Sequence, residues 1–570
     1  MRLGSAEACP VASYNVRMPR LGLIDQQELL RWANTVSARS DFPRLVRRLI
    51  LETGTGVVQL GFPAGEGVSV GSWDGTVRST EATAFIPLGL SLWELSVEKS
   101  VGRKADTDYN KRTATPDGSP TAECTYVGAS IRRWRDRQDW ANTHAAEGRW
   151  KSVRAYGVDE IETWLDTAPV THAWISERLG HAPHGLVPAD TWWEDWSRAT
   201  TPAIPFELVL AGEERAKAAT AFKARLAQPP QIITIKAQST DDALAFVAAV
   251  ARQERATDGG YLLSRMAFID DVASWRSLRD HQTPLVLLAR TDEVRAEVVV
   301  GSTHHHLIVP VVGAAGADIE LPPIDASDAT VALKEAGLDE GRAGEIGPLA
   351  RRSLRAMRRR LANKPELHQP TWAKPPVQRT VRRLLLAGQW SDRRPGDQVI
   401  VAALVGEEYA DLREELAALS EEADPLVERV DQSWSLISPF DGWLLVGGQL
   451  RDDDLQRLEP AVRTVLTEVD PSLQLSRADR WLASMRGQIP DHSDDLRHGL
   501  ATSLALLGAR GHQVDLGGGS TGATLANYLV RIVLEQANQD RSCQLWASLS
   551  DVLPLLAEAA PDAFLKGSSS

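Results

Sequence analysis

Residues 73–99 read WDGTVRSTEATAFIPLGLSLWELSVEK, and this stretch decides how the N-terminal part of the chain is read. Asp74 closes a run flanked by Gly71 and Gly75. Asp-Gly is a turn pair, because both residues tolerate the backbone angles a tight turn needs. Glu94 follows in a short apolar run, with Lys99 close behind. An acid at a turn, then a strand carrying a second acid, sets two carboxylates on adjacent strands. A hard cation such as Mg²⁺ takes oxygen ligands of this kind and keeps several waters. A metal-bound water is a nucleophile at neutral pH, and the metal takes up charge from a phosphate under attack. A lysine nearby neutralises more of that charge. The plainer reading makes Asp74 a turn residue and Glu94 a solvated strand residue.

Working outward, KADTDYNKRT (104–113) holds Asp108, Tyr109, Lys111 and Arg112, the charge density expected of a helix beside a phosphate-binding cleft. TYVGAS (125–130) reads as a strand and leads into IRRWRDRQDW, where Arg132, Arg133 and Trp134 are candidate nucleic-acid contacts along with Lys111 and Arg112. Arginine forks onto phosphate and tryptophan stacks on bases. GRWKSVRAYGVDEIETWL (148–165) predicts a late strand and an amphipathic helix, with Trp150, Val153, Ile161, Trp164 and Leu165 in the core. The whole chain is acidic, net −13, which argues against broad nonspecific nucleic-acid binding. Between Lys99 and Arg154, however, twelve Lys/Arg face seven Asp/Glu, a local +5 of the sign phosphate contact requires.

The pattern over residues 40–165 resembles the PD-(D/E)xK restriction-endonuclease-like superfamily, nearest its Mrr-like and phage-defence branches. The resemblance makes Asp74 the first acid and Glu94 the second, together holding Mg²⁺ or Mn²⁺. It sets Ser96 where the family carries its lysine, so Lys99 and Lys104 become candidate replacements, Lys104 preferred. Glu52, in LVRRLILETG, matches a glutamate of the family's first helix. The implied fold is α/β/α. The implied activity is a metal-dependent endonuclease acting on double-stranded DNA, as effector of a prokaryotic antiviral defence protein. A catalytically inactive nuclease-like binding domain or signalling scaffold is the alternative that Ser96 keeps open.

At 570 residues the chain is too long for one core and predicts three or four domains. Residues 1–24 read as a flexible lead-in, 25–168 as the nuclease-like domain, and 169–205 as a tryptophan-rich linker whose Trp174, Trp192, Trp193 and Trp196 wedge domains together. Asp25 is a candidate cap for the helix QQELLRWANTV. Cys9, Cys124 and Cys543 are odd in number and far apart, which excludes a disulfide framework or zinc spacing and fits a reducing cytoplasm. Runs of about eighteen apolar residues are absent from the sequence, so no membrane span is expected.

Residues 206–325 alternate strand-like and helical segments: FELVLAG, an alanine-rich helix, PPQIITIKAQ, DDALAFVAAVARQER, RMAFIDD, VASWRSLRDH, TPLVLLAR and HHHLIVPVV. Such succession predicts a parallel α/β sheet, and the order resembles the core of STAND-type P-loop NTPases. The loop KAQSTDDA departs from GxxxxGK[ST], lacking the glycines and lysine that hold phosphates, so ATP is not an expected cofactor. Asp270 and Asp271 resemble the acidic pair of the second conserved strand. His304, His305 and His306 alternate faces on a strand, which argues against one shared metal. Residues 326–375 read as a helical, winged-helix-like segment with a basic helix, RRSLRAMRRRLANKPEL, whose arginines either touch nucleic acid or pair with acidic surface. Residues 376–570 read as mainly helical, with a short strand pair in WSLISPFDGWLLVG. This region is the expected place for a protein partner or a phage-derived trigger, and homo-oligomerisation is compatible with it. The terminal GSSS reads as a flexible cloning remnant, and the resemblance implies a truncated C-terminal region.

Overall fold

Asp25 opens the first helix, as its place before QQELL predicts. Its carboxylate accepts the Glu28 amide while Glu28 accepts the Asp25 amide, a reciprocal cap. The computed structural model describes residues 23–62, 73–258, 261–298, 304–311, 316–422, 424–430, 432–476 and 479–568. Gly71 and most of the lead-in lie outside them. Helix α1 (Gln26–Trp32) is short, and α2 (Ser37–Thr53) follows. Phe42, Leu45, Val46 and Leu49 recur at helical spacing on α2 and are all buried.

The chain then forms β1 (Val57–Gly61), β2 (Gly75–Ser79), β3 (Gly89–Ser96), α3 (Val101–Ala114), β4 (Thr125–Ser130), α4 (Arg137–Ala146), β5 (Ser152–Tyr156), α5 (Val158–Asp166), α6 (Pro169–Arg178) and β6 (Leu186–Pro188). Strands β1 to β5 make one sheet in sequence order. The first three pair antiparallel, and β3, β4 and β5 pair parallel. Parallel neighbours need a crossover, supplied here by α3 and α4. Side chains alternate across the strands. Trp93, Val127 and Tyr156 join a core with α2 and α5. Leu92, Tyr126 and Val153 join a second core with α3 and α4. The sheet is therefore covered on both faces, and Glu94 shares the parity of Leu92, toward α3.

Further along come α7 (Ala189–Arg198), α8 (Phe206–Val209), α9 (Glu213–Leu226), β7 (Ile232–Lys236), α10 (Thr240–Asp258), α11 (Tyr261–Arg265), β8 (Met266–Ile269), α12 (Val272–Leu278), β9 (Val286–Ala289), α13 (Asp292–Val298), β10 (His306–Val311) and β11 (Ile319–Glu320). The alternation expected of this stretch is present, and the chain is mixed α/β. Strand β8 runs parallel to β9, and β7 parallel to β11. Helices α11 and α13 and strand β11 form between or after the expected segments, and two stretches change type. FELVLAG is the short helix α8 rather than a strand, since Pro205 ends the preceding extended segment and Glu207 favours a first helical turn. LVP, inside the expected linker, is strand β6 and pairs antiparallel with β8.

The chain divides into two compact units, residues 1–192 with 251–307, and residues 193–250 with 308–570. In the second unit a large helical core gathers Leu385, Trp390, Leu404, Leu500, Leu507 and Leu529. It also carries a three-stranded antiparallel sheet of Gln389–Ser391, Ser433–Leu436 and Val427–Val430. Of the strand pair expected in WSLISPFDGWLLVG one strand forms, Ser433–Leu436, and its partners lie outside that stretch. Ser438 then caps a helix, Pro439–Val446, by accepting the Asp441 amide.

The arginine-rich segment pairs with acids in the second unit. Ser353 breaks it into Glu340–Arg352 and Leu354–Leu361. Arg355 binds Asp241 and Asp424, and Arg359 binds Asp424 and Asp441. Arg358 lies 4.3 Å over the Trp196 ring. Breaking a buried pair leaves an uncompensated charge, at a cost of about 3–5 kcal/mol. Arg359→Met should lower the unfolding free energy of the second unit by that much, whereas Arg360→Ala, at an exposed position, should stay within about 0.5 kcal/mol. Equal midpoints for the two variants would contradict the ionic-hub reading.

Candidate active site

The register of β2 against β3 brings the two acids together. Gly75 pairs with Trp93, so one further antiparallel step sets Asp74 beside Glu94. Asp74 Oδ2 accepts the amide of Leu95 at 2.8 Å. Gly75 is required for this close approach: a Cβ there would lie 2.2 Å from the Phe62 ring. Glu94 is buried at 8% exposure.

Helix α3 brings its charge to this pair through one stripe, Lys104, Asp108 and Arg112, spaced four apart and so stacked on one face. Arg112 is buried and donates through Nε to Glu94 Oε1. Its Nη1 reaches Asp117 at 3.1 Å, and its guanidinium lies 4.7 Å over the Trp73 ring. Asp117 adopts φ +48, an angle Asp tolerates better than most residues, in the turn that presents it to Arg112. Lys104 Nζ stands 2.5 Å from Asp108 Oδ1.

Electrostatics show how closely the acids are coupled. Burial, then the charge of Asp74, pushes the Glu94 carboxyl up to about 7 against the pull of Arg112. Burial also raises Asp74; the Leu95 amide opposes it and Asp108 adds to it. Tyr126 is held well above its ordinary value by burial, with Glu94 and Asp108 contributing. Asp108, Trp73 and Tyr126 belong to this site, and the sequence reading did not assign them to it. The four-residue spacing of Lys104, Asp108 and Arg112 was the signal available for Asp108.

Among the described residues no three His, Cys, Asp or Glu side chains form a metal cage. Mg²⁺ does not require one, since it is commonly held by one or two carboxylates and several waters. Among the described residues the second oxygen of Asp74 and of Glu94 takes no protein hydrogen bond. Two mutually repelling carboxylates, Glu94 buried and Asp74 half-buried, with an oxygen each to spare fit a small divalent cation.

The other expected site residues are distributed as follows. Ser96 ends β3, and its hydroxyl accepts the Glu98 amide at 3.1 Å. Lys99 lies beyond the strand, exposed, and lines a cleft of about 630 Å³ with Arg103, Lys104 and Arg132. Lys111 is exposed on α3, and Arg133 is exposed with a 3.3 Å bond to Gln26. Arg132 donates to the carbonyls of Val97 and Ala33 and to Asn34, so it braces the cleft wall. Arg112 and Trp134 are corrections to the expected nucleic-acid contacts. Arg112 is buried on Glu94. Trp134 is 2% exposed and packs 5.1 Å from Trp140.

Glu52 is a further correction. Its oxygens accept the amides of Val170 and Thr171 at 2.9 and 2.7 Å, in the first turn of α6. It satisfies a helix N terminus instead of joining Asp74 and Glu94. Asp271 likewise caps α12 by accepting the Ser274 amide, and Asp270 pairs with Arg290. At the start of α10, Asp242 takes both its oxygens to Arg215, and both side chains are buried. His305 accepts the Leu285 amide at Nδ1 and donates from Nε2 to the Leu278 carbonyl, while His304 is exposed.

Comparison with protein-family models gives no match to this chain, and comparison with curated proteins gives none either.

Glu52→Gln replaces one acceptor by a donor facing a buried amide, which costs about 1–3 kcal/mol. Burial pushes the Glu52 carboxyl up from 4.5 to about 7. A pKa raised by folding contributes stability in full below the unfolded value, and that contribution is lost as pH rises through the folded value. Urea unfolding of wild type and Glu52→Gln should therefore show a gap that is wide near pH 5 and narrower at pH 8. A gap that widens with pH would contradict this assignment.

Proposed function

We propose that the first unit is a divalent-metal-dependent nuclease, cutting phosphodiester bonds with DNA as the expected substrate. The observation that carries the reading is the contact of two strands at Asp74 and Glu94: a half-buried and a buried carboxylate, each raised by desolvation and by neighbouring acids, faced by cationic side chains of α3. The five-stranded sheet covered on both faces supports a restriction-endonuclease-like α/β/α unit. The alternating strands and helices that follow support a degenerate P-loop-like module. ATP has no role in this reading, because the helix after β7 opens with Asp241 and Asp242, each held by an arginine. Cytoplasmic location rests on the three scattered cysteines, and service as the effector of an antiviral defence protein on the sequence resemblance alone.

Asp74 and Glu94 would hold Mg²⁺ or Mn²⁺, which when bound supplies an activated water and charge stabilisation at the phosphate. The protein's own contributions are positional. The Leu95 amide fixes Asp74. Arg112 fixes Glu94 and balances its charge. Lys104, on the same stripe of α3, lowers the cost of charging Asp74 and is the cation best placed to face a phosphate there. The pairing of Arg112 with Glu94, with Ser96 in the lysine position, also favours a second reading: a nuclease-like domain that binds nucleic acid without cutting it.

Plasmid cleavage in Mg²⁺ or Mn²⁺, with EDTA as control, separates the two. Asp74→Ala and Glu94→Ala should each abolish cutting while the thermal transition persists. Lys104→Ala should reduce the rate by a factor on the order of 10², the scale of one positioned electrostatic group, and Lys99→Ala by much less. Undiminished cutting by Asp74→Ala would remove the proposal, and no cutting by wild type in either metal would leave the binding reading.

A further inference from the structure

The cleft of about 630 Å³ lined in part by α3, the helix that also meets the carboxylates, carries a more specific assignment. Four cationic side chains line it, Lys99, Arg103, Lys104 and Arg132, against one acid, Glu98. They differ in what else they do. Arg132 is tied to backbone carbonyls and Asn34 and forms a fixed wall. Lys104 is paired with Asp108. Among the described residues Lys99 and Arg103 form no ion pair; both are exposed, and Arg103 makes a 3.4 Å bond to Ser100 alone. Unpaired cations concentrated in a concave surface raise the local concentration of anions. In a chain of net charge −13 such a cluster is a local exception.

Its position relative to the acids is fixed by one helix. Ser100, Arg103, Lys104 and Thr107 line the cleft from a single face of α3, by their spacing of three and four. The same face continues to Asp108 and Arg112, which bear on Asp74 and Glu94. One turn separates Lys104 from Asp108, about 6 Å along the axis. Backbone phosphates follow one another every ~3.4 Å of duplex axis on each strand, so a strand crossing the carboxylates would extend a neighbouring phosphate over this distance into the cleft.

We propose that this cleft holds a backbone phosphate of the nucleic-acid strand next to the bond that is cut, with Lys99 and Arg103 as its contacts. This rests on the nuclease reading. It gives Lys99 a binding role in place of a catalytic one, and takes phosphate recognition away from Arg112 and Trp134.

The test is binding without turnover. A labelled DNA duplex is titrated by fluorescence anisotropy with the full chain carrying Asp74→Ala, in EDTA, over a range of salt concentrations. Adding Lys99→Glu and Arg103→Glu should weaken binding on the order of tenfold or more and flatten the log–log salt dependence by about one unit per lost phosphate contact. Lys99→Ala with Arg103→Ala should show a smaller shift in the same direction. Lys217→Glu, an exposed position on α9 outside the cleft lining, should change neither. Unchanged affinity and slope in the double variants, or an equal loss in Lys217→Glu, would overturn the proposal. A mononucleotide that binds where the duplex does not would overturn it too. Cleavage by wild type with binding unaffected by the cleft variants would remove the cleft and keep the nuclease. Binding lost in the cleft variants, with no cleavage by wild type, would do the reverse.

Discussion

Asp74 and Glu94 can be buried side by side because α3 brings positive charge to meet them. Two like charges in a poorly solvated place repel strongly, and each also loses hydration. Arg112 answers this at Glu94, and Lys104 answers it more weakly at Asp74. The rest of the first unit can be read as the support for that arrangement. Gly75 lets Phe62 and β2 close on β3. Tyr109 packs edge to face on Tyr126 and on Trp140 and holds α3 against the sheet. Trp73 lies under the Arg112 guanidinium and Asp117 anchors its far side, so Arg112 has few other places to go.

The same arrangement explains both readings of the site. A buried carboxylate pair is what a divalent cation would select, yet Glu94 already has a counter-ion in Arg112. If the protein cuts nucleic acid, Arg112 both keeps the pair folded and competes with the metal for Glu94. If it does not, Arg112 is the permanent partner of an acid that has lost its catalytic role. The difference is one of relative affinity, and the fold alone accommodates either.

The acids, strands and helices of the first unit were legible because they depend on local pattern. Turn chemistry at Asp74-Gly75 and the apolar run around Glu94 survive into the structure with the strand pairing they imply. The fate of the arginines and of Trp134 was not legible, because a basic-aromatic segment reads the same whether it faces solvent or folds inward. Arg112 turned inward to meet Glu94, and Trp134 packed against Trp140. Glu52 lay at helical spacing compatible with a catalytic glutamate, but its partners, Val170 and Thr171, are more than a hundred residues away in sequence. The basic helix of the second unit failed to declare itself for the same reason. Its arginines pair with Asp241, Asp424 and Asp441, which sequence distance conceals.

Calorimetric titration of the full chain with Mn²⁺, in wild type and in Asp74→Asn and Glu94→Gln, tests the central claim most directly, since it reads the metal without requiring a substrate. The account predicts one Mn²⁺ bound by wild type and a loss of that site in both variants, whose thermal transitions remain. Wild-type-like Mn²⁺ binding in both variants, or no binding in wild type, would contradict it.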